Sequence, residues 1–432
     1  MIQIHPQSVP VPSIRRAAAL AAGPLLCLSA FAQEPVAGTG QDDARLDKLE
    51  AEQAELERRI DLVAEDVEGL RLGEVLTPLG EGYRGMGPAA SKVYGLDHGL
   101  AIGGYGEVFA RFDDEGTDVA DALRGVLYVG YRFDEKWLLN TEIEIEHADE
   151  AFLEFAYVDY LARPGFNVRA GLLLAPMGFL NELHEPTTFF GVARPGVETV
   201  ILPTTFRENG AGAHGEFGDF VYRAYVLNGF NAEGFTDGGL RGGRQKGSQS
   251  LSEDWALTAR LDWMGLPGTT LGVSTWMGDS GQDQVAAGDV GTAILEGHAE
   301  WRWRGLRTRF LYAQADLDDV AALNADLGLT GADSVGEKLE GWYAEAAYDV
   351  MGWLKQDSKQ SLSPFVRYET YDTQAEVPDG FTSDPANDDE ILTVGLDWKP
   401  MPHVVFKADV MALEDAAGGD STRFNIGMGY VF

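Results

Sequence analysis

The fold is decided in LLNTEIEIEH (residues 138–147), where Leu139, Thr141, Ile143 and Ile145 alternate with Asn140, Glu142, Glu144 and Glu146. Successive side chains of an extended strand point to opposite faces, so this stretch predicts one apolar and one charged face. A sheet built from such strands separates two unlike solvents. The same alternation recurs along the chain. In EDWALTARLDW (253–263), Trp255, Leu257, Ala259, Leu261 and Trp263 alternate with Ala256, Thr258, Arg260 and Asp262. In ILEGHAEWRWR (294–304), Leu295, Gly297, Ala299, Trp301 and Trp303 alternate with Glu296, His298, Glu300, Arg302 and Arg304. Residues 392–399 and 404–409 behave alike.

Segments of roughly ten residues bounded by Gly, Pro or Asp number about sixteen. Short connections fall at Asp134-Glu135, Arg163-Pro164-Gly165, Gly218-Asp219, 265–268, Gly305 and 400–402; long ones at 175–206, 229–252, 278–291, 317–337 and 373–389. Short turns on one rim and long loops on the other predict an all-β, transmembrane antiparallel barrel over residues 101–432, its apolar face toward lipid. The connection near Glu146–Glu150 belongs to the long-loop rim but is short. A soluble sandwich would also show alternating strands. It would not account for aromatics near strand ends, such as Trp137, Trp255, Trp263, Trp353 and Trp398, which suit interfacial girdles.

Upstream the pattern differs. Arg15-Arg16 precede an apolar run ending in Ala30-Phe31-Ala32, a signal-peptide pattern for residues 1–32 that is short for a spanning helix. Cys27, the only cysteine, lies inside it, so the exported chain would carry no disulfide. Residues 33–75 hold apolar positions at Leu46, Leu49, Leu56, Ile60, Val63, Val67 and Leu70, with polar Gln53 at the remaining seam position. Spacings alternating three and four predict a short α-helical coiled coil, placed in the periplasm by an even strand count. A lone amphipathic helix is the alternative, and the seam leaves the oligomer number open. Residues 76–100 read as a Gly-rich linker.

Charge limits the function classes. Lys plus Arg total 33 and Asp plus Glu 69, a net −36, and loss of residues 1–32 would remove two arginines and no acid. Such a balance argues against a nucleic-acid partner. The charged strand face predicts a water-filled lumen lined by Glu142, Glu144, Glu146, Arg169, Arg260, Asp262, Glu296, His298, Glu300, Arg302, Arg304, Arg307, Arg309, Arg367, Glu369, Lys399, Lys407 and Asp409. Neither sign predominates, so the wall predicts no strong ion preference. An alternative is that Arg302, Arg304, Arg307 and Arg309 only pair with wall carboxylates. The first of the long connections, 175–206, holds Pro176, Pro186, Pro195 and Pro203 and should be stiff. Asn181, Glu182, His184, Glu185, Arg194 and Glu198 on it, with Arg207 and Glu208 beside it, form a candidate constriction set. The histidines show no metal-ligand spacing, no G-x-S-x-G elbow is present, and no cofactor is predicted.

Three stretches resemble the polyphosphate- and phosphate-selective porin family (porin O/P-like): 167–218, beginning NVRAGLLLAPMGF; SPFVRYETYDTQAEVP (363–378) followed by ILTVGLDWKPMPHVVFKADV; and the C-terminal RFNIGMGYVF. The resemblance implies a trimeric sixteen-stranded barrel with its third external loop folded inward. It also implies a final aromatic, Phe432, read by the outer-membrane assembly machinery. Phosphate-selective members use an arginine ladder and a lysine cluster, whereas the cations here are interleaved with acids. The expectation is therefore an outer-membrane porin passing small hydrophilic solutes or ions. An anion- or phosphate-selective channel ranks second, and a structural tether through the coiled coil is a further alternative.

Overall fold

The computed structural model describes residues 48–49, 51–56, 58–59, 86–355 and 358–432. Sixteen antiparallel strands follow one another around a closed barrel: β1 Gly99–Asp113, β2 Val119–Arg132, β3 Trp137–Glu146, β4 Glu150–Arg163, β5 Phe166–Leu174, β6 Arg207–Phe217, β7 Phe220–Asn228 and β8 Trp255–Trp263, then β9 Thr269–Asp279, β10 Gly291–Trp303, β11 Leu306–Leu317, β12 Lys338–Tyr348, β13 Ser361–Glu376, β14 Asp388–Met401, β15 Val404–Asp415 and β16 Asp420–Val431. Every strand pairs with its sequence neighbours, and β16 closes on β1 from Tyr105↔Val431 to Asp113↔Arg423. Closure leaves no unpaired edge. At the seam, a Cβ on Gly104 would stand 2.7 Å from the Phe432 ring and one on Gly106 2.6 Å from Tyr430 Oη. The glycines of GGYGEVF thus seat the terminal aromatics.

Burial is inverted relative to a water-soluble protein. On β3, Asn140, Glu142 and Glu144 are buried while Ile143 and Ile145 are exposed. Leu257, Leu261, Leu295, Val394, Leu396 and Phe406 likewise face outward, and Thr258, Asp262, Glu296, Asp397 and Lys407 inward. Trp137, Trp301, Trp303 and Trp398 stand on the outer face close to one rim. Trp353 departs from expectation: it lies in the helix Met351–Leu354 between β12 and β13, 76 % exposed and packed on Tyr348.

The rim holding both barrel ends carries two-residue turns at 164–165, 218–219, 304–305 and 402–403 and one long connection, 349–360. The opposite rim carries the long loops 175–206, 229–254, 280–290, 318–337 and 377–387, with short ones at 114–118, 147–149 and 416–419. Loop 175–206 turns into the barrel instead of away from it. Where its stem meets loop 229–254 an apolar core forms inside the wall: Phe206 stacks on Phe230 at 4.6 Å, and Trp276 lies 4.4 Å from Phe206. Leu240, Ile294, Leu311 and Leu339 complete it.

The stretch expected as a linker differs. Within 86–98, Met86, Ala89, Ala90, Val93 and Leu96 are buried against the inner wall, and β1 begins at Gly99. On the N-terminal unit, residues 48–49, 51–56 and 58–59 are helical, with exposed pairs Lys48–Glu52 and Arg59–Glu55. Leu49 and Leu56 are more than half exposed there. The seam residues Leu46, Ile60, Val63, Val67 and Leu70, and the segment 1–32, lie outside the described residues.

Candidate functional site

The interior is organised by loop 175–206, whose conformation is set at its two stems. Asn181 donates from its amide to the Ala175 (2.6 Å) and Phe206 (2.8 Å) carbonyls and accepts from Phe206 N–H (2.7 Å). One buried side chain thereby joins both ends of the loop. Glu198, on the short helix Gly196–Val200, accepts from Leu180 N–H and from Tyr343 Oη of β12, both at 2.7 Å. His184 turns Nδ1 to the Asn181 carbonyl (2.9 Å), which makes Nδ1 the protonated nitrogen, and leaves Nε2 3.9 Å from Glu142. Burial holds this imidazole well below its usual range. Arg194 is brought beside Arg124, and burial together with that like charge lowers its guanidinium to about 10.

Past residue 186 the loop runs along the inner faces of β11 and β13–β15, and its backbone is held by charged side chains from the wall. Lys399 donates to the Thr187 carbonyl (2.6 Å), and Arg307 (3.2 Å) and Arg309 (3.3 Å) to that of Thr188. Lys407 reaches the Phe189 (2.9 Å) and Gly191 (2.8 Å) carbonyls, and Arg367 those of Phe190 (3.4 Å) and Ala193 (3.2 Å). The loop's N–H groups go to wall carboxylates: Gly191 to Asp397 (3.2 Å), Val192 to Asp409 (2.7 Å) and Gly196 to Glu369 (2.5 Å). A buried backbone needs such partners, and here side chains supply what a strand neighbour would. Charge-assisted bonds of this kind are the strong ones. Neighbouring glycines make room: a Cβ on Gly429 would stand 2.5 Å from Pro186.

The remaining predicted wall charges are paired across strands. Arg169 forks onto Asp159 (2.8 and 3.0 Å), with His214 3.3 Å from the same carboxylate. Arg302, Arg307 and Arg309 converge on Glu300 at 2.6, 2.8 and 2.6 Å. Arg260 meets Asp262 (2.8 Å) and the Gly178 carbonyl, and His298 lies between Asp262 (2.9 Å) and Glu296 (2.7 Å). Glu144 lies 3.7 Å from Arg124, and Arg367 also meets Glu345 (3.5 Å) and Glu369 (3.3 Å). Glu146 ends β3, partly buried at the long-loop rim. Of the constriction set, Glu182 pairs with Arg223 (3.2 Å) and Arg207 with Glu154 (2.7 Å). Glu208 caps the N–H groups of Gln245 (2.6 Å), Lys246 (3.0 Å) and Gly247 (3.4 Å), so it anchors loop 229–254.

Arg304 is a correction. It sits in the β10–β11 turn at φ 48°, its guanidinium 5.0 Å over the Trp303 ring, because the strand ends one residue earlier and the inward alternation stops with it. Sequence reading also missed Arg124, Glu154, Asp159, Arg223, Glu345 and Asp397, all buried inside the barrel. Strand parity would have found most of them. Glu154 would have escaped it, since it falls in a bulge where Glu142 and Ile143 pair with Phe155 and Leu153.

A cavity of about 470 Å³ remains between this loop and the β8–β9 turn. Arg223, Arg260, Arg302, Arg309, Glu182 and Glu300 line it, with Phe179, Leu183 and Met264. It opens on the short-turn half of the wall from β7 to β11.

Among known proteins, no family model matches the chain. Several solved structures share its fold at low identity. The anion-selective porin from Comamonas acidovorans aligns at TM-score 0.53 and 11 % identity over 77 % of this chain and 99 % of that one. OmpF of Salmonella typhi, in complex with daunomycin, aligns at 0.52 and 12 % over 78 % and 98 %. A loop-deletion mutant of OmpT, an outer membrane protein of Vibrio cholerae, aligns at 0.53 and 9 % over 78 % and 100 %. An uncharacterized protein of Aquifex aeolicus (strain VF5) is 37 % identical over 359 residues, covering 79 % of this chain and 81 % of its own length. A match of that extent in sequence, over a barrel whose interior depends on individual side chains, makes this chain a member of the same family as the Aquifex aeolicus protein.

Proposed function

We propose that this chain is an outer-membrane channel for passive diffusion of small hydrophilic solutes or ions, narrowed by loop 175–206. The observation that carries this reading is the inverted wall: charged residues inside, and a continuous outer belt of Leu, Val, Ile, Phe and Trp. Soluble monomers rarely expose apolar patches beyond a few hundred Å². A closed barrel is also one of the two structures that satisfy every backbone group in lipid. The fold shared with outer-membrane porins points the same way. In this reading residues 1–32 direct export and 33–75 form a periplasmic coiled coil. The exposed Leu49 and Leu56 favour a seam completed by further copies, consistent with a trimer. The C-terminal strand ending in Phe432 would be the assembly-machinery signal.

A second reading, an anion-selective channel, is favoured by the four arginines around the 470 Å³ cavity. Against it, the ladder of Lys399, Arg307, Arg309, Lys407 and Arg367 is spent on loop carbonyls. The test is single-channel recording of refolded protein in asymmetric KCl, with phosphate added. Ohmic steps with weak or cation preference support the general channel. Strong anion preference with phosphate block supports the second reading. Absence of steps from a verified folded barrel refutes both.

A further inference from the structure

Residues 86–98 form part of neither the sheet nor the loops, yet they occupy the lumen. The segment lies against the inner faces of β1–β5, at the short-turn half where β1 begins. Val93 fits over Gly130, where a Cβ would stand 2.6 Å from its own. Tyr128 Oη donates to the Ala90 carbonyl (2.6 Å), and Arg132 to that of Tyr94 (3.2 Å). Tyr94 Oη donates to Asp159 (2.7 Å) and accepts from Arg169 (2.8 Å). Loop 175–206 meets the segment from the other side, since Glu185 accepts from Ala89 N–H (2.9 Å).

Three features set this segment apart from a permanent lining. It shares no strand ladder with the wall. Where Tyr94 meets the wall, Asp159 and Arg169 hold each other directly as well as through its hydroxyl. Docking also buries charge that water would otherwise solvate. Lys92 is 5 % exposed and depressed by burial, and burial pushes Glu185 up to about 8, their mutual attraction and the Ala89 and Ala90 N–H groups offsetting only part of this. Apolar contacts of Met86, Ala89, Val93 and Leu96 favour the docked state, and desolvation of Lys92 and Glu185 opposes it.

Resting on the channel reading above, we propose that residues 86–96 are a displaceable plug that closes the β1–β5 half of the lumen and confines flow to the arginine-lined cavity on the β7–β11 side. The plug is a segment of the chain itself, and its release joins the two halves into one wider path.

The test uses the full chain with Cys27→Ser, so that engineered cysteines have no competitor. Val93→Cys with Gly130→Cys locks the segment, the two Cβ atoms needing to part by about an ångström to reach disulfide geometry. Gly130→Leu fills the Val93 seat and expels it. In planar bilayers the oxidised pair gives one small conductance level. Reduction adds excursions to a level about twofold larger, and Gly130→Leu occupies that level most of the time. Equal conductance in all three overturns the plug. Accessibility gives a readout independent of conduction. A membrane-impermeant maleimide labels Val93→Cys slowly, since Val93 is 0 % exposed, and at least tenfold faster with Gly130→Leu added. Equal labelling rates overturn the proposal even if the channel reading stands. Faster labelling without any conductance keeps the plug's displacement and refutes the channel.

Discussion

Replacing Lys407 by Met isolates the clamp on loop 175–206. Methionine keeps the length and most of the apolar stem, so the change is chiefly the loss of the ammonium group. That group donates to two carbonyls, Phe189 at 2.9 Å and Gly191 at 2.8 Å, and sits 3.6 Å from the centre of the Phe189 ring. A hydrogen bond involving a charged group contributes roughly 1.5 kcal/mol at the low end of its range. The low end is used because carbonyls freed by the change can find other partners once the loop opens. Two such bonds and a cation–π contact of about 0.5–1 kcal/mol give about 3.5–4 kcal/mol. Arg367→Met would be a poorer experiment, since it also strips Glu345 and Glu369 of their common partner.

The loss falls on local opening of the loop, because Lys407 keeps its place in the β14–β15 ladder opposite Asp397. Opening free energy reduced by 3.5–4 kcal/mol raises the open population by roughly 300-fold to 10³-fold. Hydrogen exchange on refolded protein reads this directly. The amides of Gly191 and Val192, bound to Asp397 and Asp409, should exchange about two to three orders of magnitude faster, while β14 and β15 keep their rates. Single-channel traces should show added noise from the freed loop. Unchanged exchange at 191–192, or acceleration spread evenly over the strands, would refute the clamp.

Three other outcomes are expected. Asn181→Ala removes three bonds between the loop stems and should destabilise the loop by about 2–4 kcal/mol. Protease cleavage within 175–206 of an otherwise intact barrel would reveal it, and continued resistance would count against the stem role. Docking of residues 86–96 should weaken as pH rises. Burial raises the Glu185 carboxyl from 4.5 to about 8, the Ala89 and Ala90 N–H groups and then Lys92 only partly offsetting this, so the docked state binds the extra proton between those values and loses stability as pH rises from about 4.5 to about 8. Exchange of the 86–96 amides, corrected for intrinsic rates, should therefore quicken from pH 5 to 9 in the parent and stay flat in Glu185→Gln. Leu257→Arg, on the outer face at 51 % exposure, should cost about 2–4 kcal/mol in lipid vesicles and little in a soluble environment. Equal effects in bilayer and in water would contradict the membrane orientation of the wall.

The strand alternation and turn spacing sufficed to read an antiparallel barrel of about sixteen strands with its charged face inward, because period two is a local property of extended backbone. The stiffness of loop 175–206 was legible in its four prolines. Whether its neighbours Lys399, Arg307, Arg309, Lys407 and Arg367 faced open water was not. Their partners are loop carbonyls more than a hundred residues away, which no spacing along the chain encodes. Arg304 was misplaced because alternation cannot announce where a strand stops. Glu154 was missed because a bulge shifts parity by one residue. Residues 86–98 read as a linker because their burial depends on a cavity that exists only once the barrel has closed around Gly130. Sequence alone determined which way each strand faces. Only the tertiary structure decided which inward charges are paired with the chain itself, since that depends on how the chain fills the barrel it encloses.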